Sequence, residues 1–311
     1  GQHIWQKNLK MVIEALGQVK AQGLRFHMLF VGDGAKRADM EQMVKDAAIS
    51  KKAIPGFNVF GYEDAMMVIK AAQKLNAPAI LMSNKDAVAH MDVKYQAALY
   101  RALGQDANIP VCVHLDHGGN YEICAKAIAA GFTSVMYDGS QLPIDENISN
   151  TKEVVKLAHA CGVSVEAEIG SVGYNDPTIK AKAIYTDPQE AKRFAIETGV
   201  DALAVAVGTL HRMQKQNAKI QYELLEEIQN VTDIPLVIHG STGLSNEDLT
   251  KLSHYHIGKI NIGTALRMTF GNTLREEING NTDEFDRIKF FKKPMKQVKE
   301  VILDKYKLLG W

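Results

Sequence analysis

The chain has 311 residues, 46% of them hydrophobic and 23% charged, with 36 Lys and Arg balancing 36 Asp and Glu. That is enough apolar material for a full core, and the even charge argues against nucleic acid or an anionic membrane surface as partner. No apolar run reaches the length of a bilayer span, and no signal-peptide pattern opens the sequence, where Gly1 stands in place of Met. The three cysteines, Cys112, Cys124 and Cys161, are scattered without metal-type pairing, which fits a reducing compartment; a cytoplasmic enzyme is expected.

Residues 1–40 read as one helix and one strand. Leu9, Val12, Ile13, Leu16 and Val19 recur at helical spacing, Gly23 ends the helix, and Phe26 to Val31 is a buried-strand run closed by Gly32-Asp33-Gly34. This stretch resembles a fragment of the nucleotide-sugar half of a retaining glycosyltransferase. It lacks a donor-binding acidic motif downstream, so it is expected to be an appendage without that activity, from a fusion or a gene boundary. A lone helix and strand cannot build a core.

From residue 41 the pattern is regular. Strand-like runs fall at Ile54–Val59, Ala77–Met82, Val111–Leu115, Ser134–Tyr137, Val163–Ile169, Ala202–Val207, Leu236–Ile238 and Gly258–Ile262. Helical segments separate them: Glu63–Leu75, Val93–Leu103, Tyr121–Ala130, Asn150–Cys161, Pro188–Thr198, Glu223–Gln229 and Asn246–His254. A helix over Met43–Ser50 precedes the first strand, and Ala265–Ile278 and Met295–Leu309 close the chain. Eight apolar strands alternating with helices over residues 41–311 predict an α/β fold, a (β/α)8 TIM barrel with the N-terminal helix and strand appended. An open doubly wound sheet is the competing architecture.

In a barrel the active site is built beyond the carboxyl ends of the strands. Three of the ten histidines stand there: His117 after Val111–Leu115, His211 after Ala202–Val207, and His239 after Leu236–Ile238. Three neutral imidazoles leave an open fourth position on a tetrahedral Zn²⁺, as a catalytic zinc requires. Asp116 adjoins His117, Asp138 ends the fourth strand, and Glu166 and Glu168 alternate along the fifth, so both face one side; a structural ion-pair layer is the other use for one of the two. Gly240-Ser241-Thr242-Gly243 and Asn261-Ile262-Gly263-Thr264 finish the last two strands, where backbone N–H groups can bind phosphate.

His114-Leu115-Asp116-His117-Gly118, Ser134 to Ser140, Ser164 to Gly170, Asp187 to Ala191, His239 to Gly243 and Lys259-Ile260-Asn261, in that order, resemble the class II, zinc-dependent ketose-bisphosphate aldolases. The resemblance runs from about residue 41 to the final Leu308-Leu309-Gly310. It implies zinc on His117, His211 and His239, with Glu168 and Asp138 as accessory carboxylates of the metal site. It implies Asp116 as acid/base for the C4 hydroxyl and Asp176, on the loop after the fifth strand, as the second acid. Asn58 and Asn261 would hold substrate, Gly208, Gly240, Ser241, Thr242 and Thr264 would grip phosphate, and Arg267 would reach a phosphate in a neighbouring subunit.

The implied reaction is cleavage of a fructose or tagatose 1,6-bisphosphate to dihydroxyacetone phosphate and glyceraldehyde 3-phosphate. A homodimer or homotetramer and activation by a monovalent cation are also implied. The sequence departs from the family pattern at Tyr174 (usually glycine), at Asp176 (usually Glu, followed here by Pro177), at Arg212 (usually glycine) and at Met82-Ser83-Asn84. Arg212 either blocks the site or adds a cation to it. The alternatives these departures leave open are another phosphorylated ketose, or a paralogue that binds sugar phosphate without turnover.

Overall fold

The computed structural model describes residues 40–175, 182–216 and 218–311. The N-terminal appendage and Asp176 lie outside the described residues.

The strands are β1 (Ile54–Asn58), β2 (Ala79–Ser83), β3 (Val111–Gly118), β4 (Ser134–Tyr137) and β5 (Ser164–Ile169). There follow β6 (Gly173–Tyr174), β7 (Ala202–Val205), β8 (Leu210–His211), β9 (Leu236–Ile238) and β10 (Ile257–Ile262). Eight of these form a closed barrel in the order β1-β10-β9-β7-β5-β4-β3-β2, while β6 and β8 pair only with each other. All barrel pairs are parallel, and the ring closes where β1 meets β10, with Gly56 opposite Asn261 and Phe57 opposite Ile262. Each expected barrel strand is present. Closure rather than an open sheet follows from that last pairing, which joins the two ends of the strand series.

Strands covered on both faces need apolar residues on both, which is why their sequences read as unbroken hydrophobic runs. One set, including Ile54, Ile80, Met82, Cys112, Met136, Ala202, Ala204 and Val237, fills the barrel interior together with Val44 and Ala47. The opposite set, with Phe57, Leu81, Val135 and Leu203 among it, packs against the helices. Val44 and Ala47 belong to the helix Met40–Ile49, which plugs the amino end of the barrel. Gly258 permits that approach, since a Cβ there would stand 2.5 Å from the Val44 carbonyl oxygen.

Helix boundaries differ from expectation where acidic or capping residues at the helix start outweigh hydrophobic period. The helix expected from Asn150 spans Ile144–Ala160, with Asp145 and Glu146 in its first turn, where acidic side chains favour the positive end of the helix dipole. A short helix, Lys85–His90, was not expected; Asn84 caps it by accepting from the Ala87 N–H. The closing helix begins at Arg287, capped by Asp286, and carries Pro294 in its interior instead of starting after it at Met295. It closes the chain against the starts of the first two strands: Tyr306 donates to the Pro78 carbonyl, just before β2, at 2.8 Å, and beyond the helix the Trp311 indole donates to the Ala53 carbonyl, just before β1, at 2.9 Å. No helix among the described residues is long and apolar enough to cross a membrane.

Candidate active site

At the carboxyl end of β3 the ladder with β4 shifts register between Leu115 and Gly118. His117 takes φ 54, a left-handed conformation that is strained for a residue with a Cβ. In a regular strand Asp116 and His117 would point to opposite faces. With the bulge, both line the same cavity at the barrel mouth. Nothing in the sequence pattern announced that bulge beyond the two glycines that follow.

Ligand atoms of His117, Glu168, His211 and His239 lie within 4.8 Å of one another, a group able to hold a metal ion. Each ring has its own support. His117 Nδ1 stands 2.6 Å from Asp138 Oδ2, and His239 Nε2 stands 2.9 Å from Glu166 Oε1. Donation of a proton to each carboxylate leaves His117 Nε2 and His239 Nδ1 as lone pairs facing each other at 3.1 Å. Two facing lone pairs repel unless a cation lies between them, and the spacing suits nitrogens each about 2.0–2.1 Å from one ion. Glu168 Oε2 is buried without a hydrogen-bond partner, 3.5 Å from His239 Nδ1. The residues present therefore fit a divalent metal.

The electrostatics point the same way. Burial disfavours a charge on His117, yet Asp116 and the hydrogen bond to Asp138 raise its pKa to about 10; the spot favours a positive charge, which a metal would supply in place of the proton. Burial, and then the charge of His117, hold His211 and His239 well below the ordinary histidine range, so both are neutral donors. Burial, then Asp138, push Glu168 up to about 8. Burial would raise the Asp138 pKa, but the hydrogen bond and charge of His117 and the hydrogen bonds from Ser140 together bring it well below the usual carboxylate range. Of the two expected accessory carboxylates, Glu168 joins the ligand group, while Asp138 acts on His117 from behind.

The pair Glu166 and Glu168 separates in the same manner. Glu166 is fully buried and bonds Lys259 Nζ at 2.5 Å, in a layer beneath the histidines that includes His114, whose Nε2 lies 3.7 Å away. Sequence reasoning passed over Lys259 and His114, and only the lysine within an apolar strand signalled a buried partner.

Asp116 is held by two amides. Asn58 donates to its Oδ2 at 2.8 Å and Asn261 donates to its Oδ1 at 3.0 Å. Burial would raise the Asp116 pKa, but the charges of His117 and Lys259 and the Asn58 hydrogen bond bring it below the ordinary value. Asn58 and Asn261, expected to hold substrate, here orient the acid/base candidate while also lining the cavity. Gly263 is needed beside them, because a Cβ there would come 2.5 Å from Asn58 Oδ1.

The loops complete the mouth. Gly240, Ser241, Thr242, Thr264 and Arg267 line the cavity with His117 and His211; Gly208 does not. Gly208 turns at φ +111 against Lys219, whose carbonyl oxygen would lie 2.2 Å from an added Cβ. The β6–β8 ladder sets Tyr174 opposite His211, with ring centroids 4.7 Å apart, and Asn175 donates its N–H to the His211 carbonyl at 2.9 Å. Tyr174 therefore packs on a ligand ring. Arg212 turns into the cavity wall at φ 58.

Residues 38–311 match the family described as fructose-bisphosphate aldolase class-II. A fructose-bisphosphate aldolase of Staphylococcus aureus is 38% identical over 275 residues, covering 87% of this chain and 96% of its own. Among solved structures, the YdjI aldolase of Escherichia coli superposes with a TM-score of 0.77 at 33% identity, over 88% of this chain and 97% of that one. A fructose-bisphosphate aldolase of Campylobacter jejuni shares the fold, with a TM-score of 0.77 at 20% identity, over 89% of this chain and 96% of its own. Sequence motifs, barrel and strand-end cluster agree: the chain belongs to the class-II fructose-bisphosphate aldolase family, whose members are metal-dependent carbon–carbon lyases.

Proposed function

We propose that the chain cleaves the C3–C4 bond of a ketose 1,6-bisphosphate, fructose or tagatose, to dihydroxyacetone phosphate and glyceraldehyde 3-phosphate, with zinc as its metal. The observation that carries this reading is the Asp116 carboxylate, fixed by Asn58 and Asn261 on the wall that also presents His117 and His211.

His117, His211 and His239 would hold the zinc, with Glu168 as a further donor. When bound, zinc would supply Lewis-acid stabilisation of negative charge on the ketose half, so that no Schiff-base lysine is required. Asp116 is ionised because its neighbours favour the carboxylate. It accepts the C4 hydroxyl proton as the C3–C4 electron pair passes to C3 and the C4–O bond becomes the aldehyde carbonyl. The two amides hold both carboxylate oxygens, so the base is oriented before substrate arrives. Asp176 returns a proton to C3. Phosphate binds at the turns Gly240–Thr242 and Gly263–Thr264, whose backbone lines the same cavity.

The test is release of triose phosphate from fructose and tagatose 1,6-bisphosphates by zinc-loaded protein, with and without EDTA. EDTA-sensitive release from one sugar upholds the reading and names the epimer. No release from either sugar by protein with a full complement of zinc overturns it.

A further inference from the structure

Two of the three histidines in the metal-binding group are steered from behind by a carboxylate. Asp138 Oδ2 stands 2.6 Å from His117 Nδ1, and Glu166 Oε1 stands 2.9 Å from His239 Nε2. That is the usual support of a ligating imidazole, whose second nitrogen fixes its tautomer and ring angle. His211 differs. Among the described residues no side chain hydrogen-bonds its ring. Its backbone also lies outside the barrel, because β8 is two residues long and pairs only with β6.

What stands against the His211 ring is Tyr174. The parallel ladder sets Gly173 opposite Leu210 and Tyr174 opposite His211, and the Asn175 N–H extends it onto the His211 carbonyl. Residues paired in register across a sheet project to the same face. The two rings accordingly lie with centroids 4.7 Å apart and planes inclined by 33°, within the range of offset aromatic packing. Gly173 lets the two short strands approach this closely, since a Cβ there would stand 2.8 Å from Ala183 Cβ and 3.2 Å from Leu210 Cδ2.

We propose that Tyr174 is a positioning residue for the metal: its ring, in the place of a carboxylate, holds the His211 imidazole at the angle that aims a nitrogen at the group formed with His117, Glu168 and His239. Glycine, which the resemblance leads one to expect at this position, would put no ring against the imidazole. The tyrosine orders His211 before an ion arrives and so lowers the entropic cost of binding it. The role belongs to the ring and not to the hydroxyl. It rests on the reading of the histidine group as a metal site, and not on the choice of sugar.

The test measures zinc affinity by competition with a chromophoric chelator. It compares wild-type protein with Tyr174→Ala, Tyr174→Phe, His211→Ala and the double variant Tyr174→Ala with His211→Ala. Tyr174→Ala should weaken zinc binding about tenfold, the lower end of what loss of a supporting group costs a metal site. Tyr174→Phe keeps the ring and should stay within about twofold of wild type. In the His211→Ala background, Tyr174→Ala should cost nothing further, because the side chain it acts through is gone. Cobalt-loaded protein should show the same split in its visible absorption, altered in Tyr174→Ala and unchanged in Tyr174→Phe.

A merely structural tyrosine would weaken the site equally with or without His211, and that additivity overturns the proposal. Equal losses in Tyr174→Phe and Tyr174→Ala overturn it as well, by assigning the effect to the hydroxyl. Wild-type affinity in Tyr174→Ala does the same. Wild-type protein that takes up no zinc would overturn the metal reading together with the role of Tyr174, and it is told apart from the other results because it shows before any substitution is made.

Discussion

Lys259→Met breaks a fully buried ion pair and gives the sharpest quantitative expectation for stability. Lys259 Nζ and Glu166 Oε2 are 2.5 Å apart, and neither side chain is exposed. With an effective dielectric of about 20, charges at that distance attract by roughly 7 kcal/mol, most of which offsets the several kcal/mol per ion that desolvation costs. Removing one partner leaves the other charge buried, and the usual cost of that is about 3–5 kcal/mol. Glu166 keeps its bond from His239, so the lower end of that range, about 3 kcal/mol, is expected. The double substitution Lys259→Met with Glu166→Gln removes the orphan charge yet keeps an acceptor for His239, and should recover at least half of the loss. Equilibrium urea unfolding of metal-free protein gives all four corners of the cycle. A single-variant loss under about 1 kcal/mol, or a double variant as unstable as the sum of the singles, would refute the account of Glu166 as a charge that needs its lysine.

Three further outcomes are expected. His211→Ala should drop bound zinc well below one ion per chain, measured by atomic emission after dialysis, and abolish any EDTA-sensitive activity, because it deletes one of the ligand nitrogens. Gly263→Ala should lower kcat about tenfold with little change in zinc content, since its Cβ would displace the Asn58 amide from Asp116; a normal kcat would mean that the amide is not needed there. Zinc binding should release protons and weaken as pH falls, because metal and proton compete for His117, whose pKa stands at about 10 without metal. One displaced proton corresponds to about a tenfold loss of apparent affinity per pH unit below that value. Calorimetry in two buffers of different ionisation enthalpy measures the protons released, and a value of zero at neutral pH contradicts the competition.

The barrel was legible because covered strands must be apolar on both faces, and that requirement writes itself into eight short runs. The histidines were legible because strand ends in this fold converge, so that position along the chain stood in for position in space. What lay hidden depended on side-chain direction. Asn58 and Asn261, 203 positions apart, meet only through Asp116, and no spacing rule connects them. Asp138 could be placed near the histidines but not behind His117 rather than beside it. Boundary differences at Ile144 and Arg287 arose where acidic residues and an Asp cap start a helix before its hydrophobic period becomes visible.

The seam between β1 and β10 carries more than the closing of the barrel. Both amides that hold Asp116 sit on the seam strands, Asn58 ending β1 and Asn261 on β10. The metal-binding group, His117, Glu168, His211 and His239, comes from other strand ends around the ring. Grip on the metal and orientation of the proton acceptor are therefore assigned to separate stretches of wall. Loosening the C-terminal Trp311 anchor on Ala53, just ahead of β1, would fray the seam first, yielding a protein that still captures its ion but has lost the hinge-post against which it breaks the carbon chain.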